Sequence, residues 1–228
     1  MNVIKSKTIR SALKIAVPFI IIPFLATLGS VAMFEKRHII ISLAVAVFSL
    51  LLFSAGFEKK STGSRRMVIV AIMTALCIVG RFIPLFKPVT AITVITAVYL
   101  GSEAGFLTGA LAAFLSNFYF GQGPWTAFQM LAWGLIGLIA GYLAEPLKRH
   151  RMLLMIYGAI SGILYSFVMD IWTVLWYNSV FDGTLFLSAV ISALPFTVIY
   201  AVSNLAFLWL MAKPFGEKLE RIKIKYGV

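Results

Sequence analysis

The chain has 228 residues, of which 61% are hydrophobic and only 12% are charged, and its mean hydropathy is +0.97. A soluble domain of this size cannot bury so much apolar surface, so the composition excludes a water-soluble enzyme. The formal net charge of +12 lies in short basic runs between apolar stretches. That pattern excludes a nucleic-acid binder, which would carry the charge on an exposed polar domain, and is typical of an integral membrane protein.

Eight apolar stretches approach the length of about 20 residues that a helix needs to cross the hydrocarbon core of a bilayer. In chain order they cover residues 13–34, 38–57, 67–83, 88–101, 104–120, 125–147, 152–177 and 185–215. Pro18 and Pro23 interrupt the first stretch, and Pro84 ends the third. The fourth is short for a crossing, so we expect residues 81–87 to dip toward the membrane.

The predicted fold class is therefore an all-α integral membrane protein with about eight transmembrane helices. A polar, basic linker at residues 58–66 separates the first two crossings from the other six. We expect two domains, an N-terminal pair of transmembrane helices at residues 1–58 and a six-helix domain at residues 59–228.

The distribution of Lys and Arg predicts the orientation of these helices. Sixteen of the 20 basic residues fall in four segments, 5–14, 59–66, 148–151 and 213–225, that share one side of the membrane. By the positive-inside rule, both termini of this multi-pass cell-membrane protein are predicted to be cytoplasmic. The basic start, the apolar run and the small residues near position 30 also fit a cleaved signal peptide, which would leave the other seven crossings in place.

Several chemistry-bearing patterns are missing from the sequence. The two histidines, His38 and His150, lie on opposite sides of the predicted membrane, so they support neither a zinc site nor a catalytic triad. There is no Walker-type loop for ATP, and Cys77 is the single cysteine. The sequence thus predicts no catalytic residue, no metal and no cofactor.

Aromatic and amide side chains are concentrated at the predicted outer ends of the helices. Trp125, Gln129 and Trp133 are spaced four residues apart, so two rings and an amide can stack on a planar ligand and bind its edge. An interfacial aromatic belt is the alternative interpretation. The predicted substrate-binding residues are Arg81, Asn117, Tyr119, Gln122, Trp125, Gln129, Trp133, Asp170, Trp172 and Tyr177.

Asp170 lies about two turns inside the outer end of the seventh predicted crossing, where a carboxylate must face protein, water or ligand. Ser166 and Thr173 share its side of the helix. Asp170 is predicted either to contact substrate or to form an ion pair with Arg81. A weaker stripe at Thr197, Tyr200 and Asn204 favours ordinary interhelical hydrogen bonds.

Pairs of small residues four apart mark close helix contacts. They are Ala71 and Ala75, Gly137 and Gly141, and Gly158 and Gly162.

From about Met67 to Phe215 the chain resembles the substrate-specific S components of energy-coupling factor (ECF) vitamin transporters. Six crossings, the Ala71 and Ala75 pair, and the stretch Ser116-Asn-Phe-Tyr-Phe-Gly-Gln-Gly-Pro-Trp-Thr-Ala-Phe-Gln-Met130 carry the resemblance. Within the family that stretch is most similar to cobalamin-type members. The N-terminal pair of helices is a departure from a minimal six-helix S component.

The resemblance implies a transporter subunit that captures a vitamin from outside. It also implies partners, a membrane coupling subunit and two cytoplasmic ATPases that supply ATP hydrolysis, with Ala71 and Ala75 docking on the coupling subunit. The expected substrate is cobalamin or another corrinoid. A smaller cationic ring compound, thiamine-like or queuosine-precursor-like, and a non-transporting membrane scaffold are the alternatives.

Overall fold

A computed structural model describes residues 7–31, 43–45, 47–49, 51–52, 60–178 and 180–226. Within these residues the protein is helical with no strand, which confirms the predicted all-α class. The helices are α1 (Lys7–Ala16), α2 (Ile22–Val31), α3 (Lys60–Gly80), α4 (Val89–Leu100), α5 (Ser102–Phe120), α6 (Trp125–Tyr142), α7 (Ala144–Arg149), α8 (Arg151–Asn178) and α9 (Gly183–Tyr226).

The N-terminal stretch stays helical through its two prolines instead of breaking. A π-helical segment, Val17–Ile21, joins α1 to α2 and carries Pro18 at its start. Proline lacks the N–H that an α-helix needs, and a wider turn accommodates the missing bond. The helix α2 packs against α6 and α8. Most of the second predicted crossing, 38–57, lies outside the described residues.

The core of the bundle lies in α4, α5 and α6. Every residue of α4 is buried except the half-buried Tyr99. The α5 and α6 backbones approach so closely that a Cβ atom on Gly141 would lie 2.2 Å from the Ser102 Cα. A Cβ on Gly137 would lie 2.5 Å from the carbonyl carbon of Gly105. The close contact predicted for this glycine pair is therefore confirmed.

Several predicted helix ends were wrong. The helix α3 begins at Lys60 rather than Met67, so part of the expected linker is its first turns. The sixth predicted crossing ends at Tyr142, and the short α7 turns the chain toward α8. The last helix continues to Tyr226 and contains Pro195 and Pro214.

Among the described residues, four helical stretches are long and apolar enough to cross a membrane. They are Thr8–Thr27, Trp125–Tyr142, Arg151–Asn178 and Gly183–Tyr226. Val89–Leu100 is apolar but shorter, as its sequence predicted. The protein is thus a multi-pass all-α membrane protein.

The contact between α3 and α4 seals the single cysteine. Cys77 is fully buried, and its Sγ lies 3.7 Å from the Val89 carbonyl oxygen and 4.0 Å from Thr93 Oγ1. Gly80, at the end of α3, lies against Pro88. The turn that follows, with Leu85 at φ 63°, places Arg81 and Lys87 at one end of the bundle.

An ion pair ties the N-terminal helix to the basic end of the bundle. Lys14 Nζ lies 2.6 Å from Glu103 Oε1, and the Glu103 side chain is only 11% exposed. Arg66 donates to the carbonyl oxygen of Leu100, at the C-terminus of α4, where a cation is favoured. Gly101 follows with φ +99°, and a Cβ there would lie 2.7 Å from the Arg66 guanidinium.

Candidate functional site

A cavity of about 160 Å³ lies where the turn before α4 meets α4, α6, α8 and α9. We call it the Arg81 cavity. Its lining residues are Arg81, Lys87, Val89, Thr90, Gln129, Trp133, Gly162, Tyr165, Tyr200 and Asn204. No carboxylate is among them.

Arg81 is the most constrained polar group of the cavity. Its side chain is buried, and its guanidinium donates to Ser116 Oγ and, over 2.8 Å, to Asn117 Oδ1. The guanidinium carbon also lies 4.8 Å from the centre of the Phe120 ring and 5.3 Å from that of Trp133. These contacts hold the cation in one orientation. Its buried Nε has no hydrogen-bond partner in the described chain.

A network of amides and hydroxyls fixes Asn117 and Gln129 behind Arg81. Asn117 Nδ2 donates to Thr126 Oγ1 over 2.9 Å and to Gln129 Oε1 over 2.8 Å. Thr126 in turn donates to Gln122 Oε1 over 3.0 Å. Gln122 Nε2 donates to the Phe114 carbonyl oxygen over 2.8 Å. The loop between α5 and α6 is therefore tied to both helices, and the acceptor of Asn117 is aimed at Arg81.

Aromatic rings form one wall of the cavity. The Trp133 and Tyr165 rings are stacked, with centroids 4.7 Å apart and planes at 15°. Tyr200 meets Tyr165 edge to face at 5.6 Å. The flat faces and the two hydroxyls suit a planar ligand with polar edges.

The electrostatics of the cavity are positive. Lys87 shares it with Arg81, and its Nζ lies 5.9 Å from the centre of the Phe120 ring. Burial lowers the pKa of Lys87 below its ordinary range, and repulsion by the Arg81 guanidinium lowers it further. A ligand that accepts hydrogen bonds suits such a site, and a cationic ligand is repelled.

Of the sequence-predicted site residues, Arg81, Gln129 and Trp133 line this cavity. Asn117 and Gln122 lie in the network behind it. Trp125 and Trp172 meet edge to face at 5.9 Å, outside the lining. Tyr119 and Tyr177 are 73% and 74% exposed.

Asp170 is buried but is not a lining residue, and no ion pair joins it to Arg81. Ion pairs within the described ranges link Lys14 to Glu103 and Lys148 to Glu220 instead. The Asp170 Oδ2 atom is buried without a hydrogen-bond partner among the described residues. The alternative in which Asp170 pairs with Arg81 was therefore wrong, because the Arg81 guanidinium donates to Ser116 and Asn117 instead.

Sequence reasoning did not select Lys87, Thr90, Gly162 or Tyr165 for the site. It treated Tyr200 and Asn204 as interhelical contacts, and Asn204 Nδ2 does donate to the Gly158 carbonyl oxygen over 3.0 Å. Tyr165 carries a usable signal, since it lies one residue from the polar Ser166 on a helix that also holds Asp170. Lys87 carries no such signal, because a single basic residue in a turn is common.

Comparison with known proteins decides the family. Residues 61–214, about two thirds of the chain, match the family described as ECF-type riboflavin transporter, S component. The chain belongs to this family. The resemblance to ECF S components is thus confirmed at the family level, and the protein is a transporter subunit rather than an enzyme. The match excludes the N-terminal helices α1 and α2.

A curated relative is also similar to the chain. This S component is 26% identical, over 147 residues, to a UPF0397 protein of Aliivibrio salmonicida (strain LFI1238). The alignment covers 60% of this chain and 77% of the relative. No solved structure matches the chain.

Proposed function

We propose that this S component binds a flat, uncharged vitamin of the riboflavin class in the Arg81 cavity for import. The observation that carries the proposal is the fixed Arg81 guanidinium, with an unpartnered Nε, beside the stacked rings of Trp133 and Tyr165. A heteroaromatic ring that bears carbonyl groups would stack on the aromatic wall while its carbonyl oxygens accept from Arg81.

The size and charge of the cavity support this substrate class. Sites for drug-sized ligands commonly measure about 300–1,000 Å³, so a cavity of about 160 Å³ holds one fused ring system and leaves a side chain at the mouth. A corrinoid, with its large macrocycle and many amide arms, would need a wider site. A thiamine-like cation would meet Arg81 and Lys87 without a carboxylate to balance them. Cobalamin remains the competing ligand suggested by the 116–130 stretch.

The proposal extends to the partners that the family implies. Ala71 and Ala75 are exposed on α3, between the exposed apolar side chains of Val68, Ile72 and Val79. A smooth apolar face lets a partner helix approach closely in the bilayer. We propose that this face docks on a membrane coupling subunit, and that two cytoplasmic ATPases on that subunit supply the energy.

We also propose that both termini are cytoplasmic and that residues 59–228 form the substrate-binding domain.

Ligand titration of the purified protein tests the substrate. Riboflavin should raise the melting temperature, since a ligand that binds only the folded state stabilises it by mass action. Its fluorescence should be quenched by stacking on the aromatic wall, and thiamine and cobalamin should have much weaker effects. If cobalamin alone stabilises the protein, cobalamin replaces riboflavin as the proposed substrate. If no ligand stabilises it, the membrane-scaffold alternative is favoured.

A pair of tryptophan variants locates the binding. Trp133→Leu should abolish most of the quenching and weaken binding about tenfold, since ring stacking contributes about 1 kcal/mol or more. Trp176→Leu is the matched control, because Trp176 stacks on Trp172 outside the cavity and is 40% exposed. If both variants lose quenching and affinity equally, the vitamin does not bind in the Arg81 cavity.

A further inference from the structure

A second cavity, of about 230 Å³, lies at the basic end of the bundle, where α4, α7, α8 and α9 meet. We call it the Lys148 cavity. Lys148, Arg151 and Lys213 stand on its rim, and its lining, among the described residues, includes no carboxylate. Its floor is apolar and includes Ile95, Leu154 and Ala212.

The cations on this rim are held in place by aromatic rings. Lys148 Nζ lies 4.9 Å above the Tyr99 ring, and Arg151 Cζ lies 3.7 Å above the Trp209 ring. Arg151 also donates to the Trp209 carbonyl oxygen over 2.8 Å. These contacts fix the stems of the two side chains and leave other N–H groups free to donate.

Two exposed carboxylates, Glu217 and Glu220, lie near Tyr99 at this cavity and offset only part of its charge. Glu220 lies 4.0 Å from Lys148, and Glu220 itself is 54% exposed, so the pair is weak. Within the described part of the chain, no carboxylate forms an ion pair with Arg151 or Lys213. Three convergent cations above an apolar floor therefore attract a ligand with an anionic head and an apolar tail.

We propose that the Lys148 cavity binds the phosphate headgroup of an anionic phospholipid. The rim cations contact the phosphate, and the first part of an acyl chain packs on Leu154 and Ala212. This end of the bundle is predicted to face the cytoplasm, where basic pockets between helices bind anionic headgroups. A neighbouring cavity of about 270 Å³ shares Tyr99 and Lys148 with it and is lined also by Arg66, Lys223 and the exposed Glu145.

This site is separate from the proposed substrate site. The helix α4 contributes Thr90 to the Arg81 cavity and Ile95 and Tyr99 to the Lys148 cavity, so these lining residues lie about 8 to 14 Å apart along the helix axis. Lipid binding can therefore be tested without reference to the vitamin.

Native mass spectrometry of the full-length protein in detergent, titrated with phosphatidylglycerol, tests the proposal. The protein should retain one phosphatidylglycerol more strongly than phosphatidylcholine. The combined change Lys148→Gln, Arg151→Gln and Lys213→Gln should weaken that binding about tenfold or more, since each basic residue adds attraction for an anionic lipid. The matched control, Lys218→Gln with Arg221→Gln and Lys225→Gln, removes the same charge from exposed positions of α9 and should change little.

Three results would overturn the proposal. One is equal weakening in the two triple variants, which would indicate net charge alone, and another is equal retention of the two lipids. The third is displacement of phosphatidylglycerol by millimolar inorganic phosphate, which would make the cavity a site for free phosphate. If the triple variant fails to fold, Lys213→Gln alone should still weaken binding, because Lys213 forms no ion pair within the described residues.

Discussion

Arg81 illustrates how one buried cation can order a site inside a membrane protein. Its guanidinium joins the turn after α3 to Asn117 of α5 and, through Asn117, to Gln129 of α6. The hydrogen bonds that Arg81 donates to the protein fix the directions of its remaining N–H groups. The site is thus arranged before a ligand enters.

Replacing Arg81 tests this arrangement. Arg81→Gln removes the charge and the fork of donors, so riboflavin affinity should fall about tenfold or more, equivalent to about 1.4 kcal/mol. Isothermal titration should detect the loss. The control Arg149→Gln removes a basic charge at the opposite end of the bundle and should leave affinity unchanged. Wild-type affinity in Arg81→Gln would contradict the proposed role.

Asp170 gives the opposite expectation. Because it lies outside the Arg81 cavity with an unpartnered Oδ2, Asp170→Asn should leave ligand affinity unchanged. Melting temperature should stay the same or rise, since a buried amide costs less than a buried carboxylate without partners. A tenfold loss of affinity, measured in the same titration, would instead place Asp170 at the substrate.

Only part of the site could be predicted from the sequence. Trp125, Gln129 and Trp133 are spaced by four residues, and each step of four turns the helix by about 40°. Over eight residues the face therefore rotates by about 80°, so Trp133 lines the cavity while Trp125 meets Trp172. Lys87 and Tyr165 come together only through tertiary packing, which no local pattern encodes.

At the scale of helices, the contact between α1 and α5 links the N-terminal region to the rest of the bundle. Burial would raise the pKa of Glu103, but the hydrogen bond from Lys14 and the charges of Lys14 and Arg66 outweigh it and lower that pKa below 4.5. Since the folded-state pKa is depressed, its stabilising effect is present above pH 4.5 and is lost as the pH falls through the folded-state value.

Glu103→Gln should remove this pH dependence. At neutral pH the variant should lose about 1 kcal/mol of unfolding free energy, because Lys14 is partly exposed and the pair is partly screened. Its melting temperature should approach that of the wild type as the pH falls below the folded-state pKa. Glu145→Gln, at an exposed position, is the control. If the difference in melting temperature between wild type and Glu103→Gln stays constant with pH, the ionisation of Glu103 does not contribute to stability in this way.

The exposed face of α3 leads to a second prediction at the scale of helices. Ala71→Leu or Ala75→Leu should prevent assembly with the coupling subunit while leaving riboflavin affinity of the isolated protein nearly unchanged, because close approach is needed only for the partner. Co-purification and vesicle uptake measure the two effects. Ser192→Leu adds bulk to an exposed position of α9 as a control. Normal assembly in both alanine variants would show that another surface docks.

The positions of the helices could be predicted from the apolar stretches, but the residues at which the helices begin and end could not. The α3 helix extends into a basic, polar segment, where Arg65 donates to the Tyr226 carbonyl oxygen and Arg66 to that of Leu100. Both are long-range contacts. The last helix passes Pro214 and continues to Tyr226. Hydropathy marks what lies in lipid, whereas a helix can continue into water wherever its polar residues find partners.

For the whole molecule, the central question is which end faces the outside. Tyr177→Cys replaces a side chain that is 74% exposed, and it should react with an impermeant maleimide added to intact cells. Arg149→Cys, at the exposed basic end, should react only after the membrane is permeabilised, as the positive-inside rule requires. The reverse pattern would invert the orientation and place the Arg81 cavity on the cytoplasmic side.

Cys77 is sealed between α3 and α4, so the reaction rate of its native thiol reports motion inside the bundle. With its Sγ buried between α3 and α4, a small thiol reagent can reach it only when these helices separate, so the rate of modification measures how often they open. The helix α3 is also the one that carries the proposed docking face. Comparing that rate for the free, vitamin-bound and partner-bound protein would therefore time the rearrangements of a transport cycle in the unmutated chain.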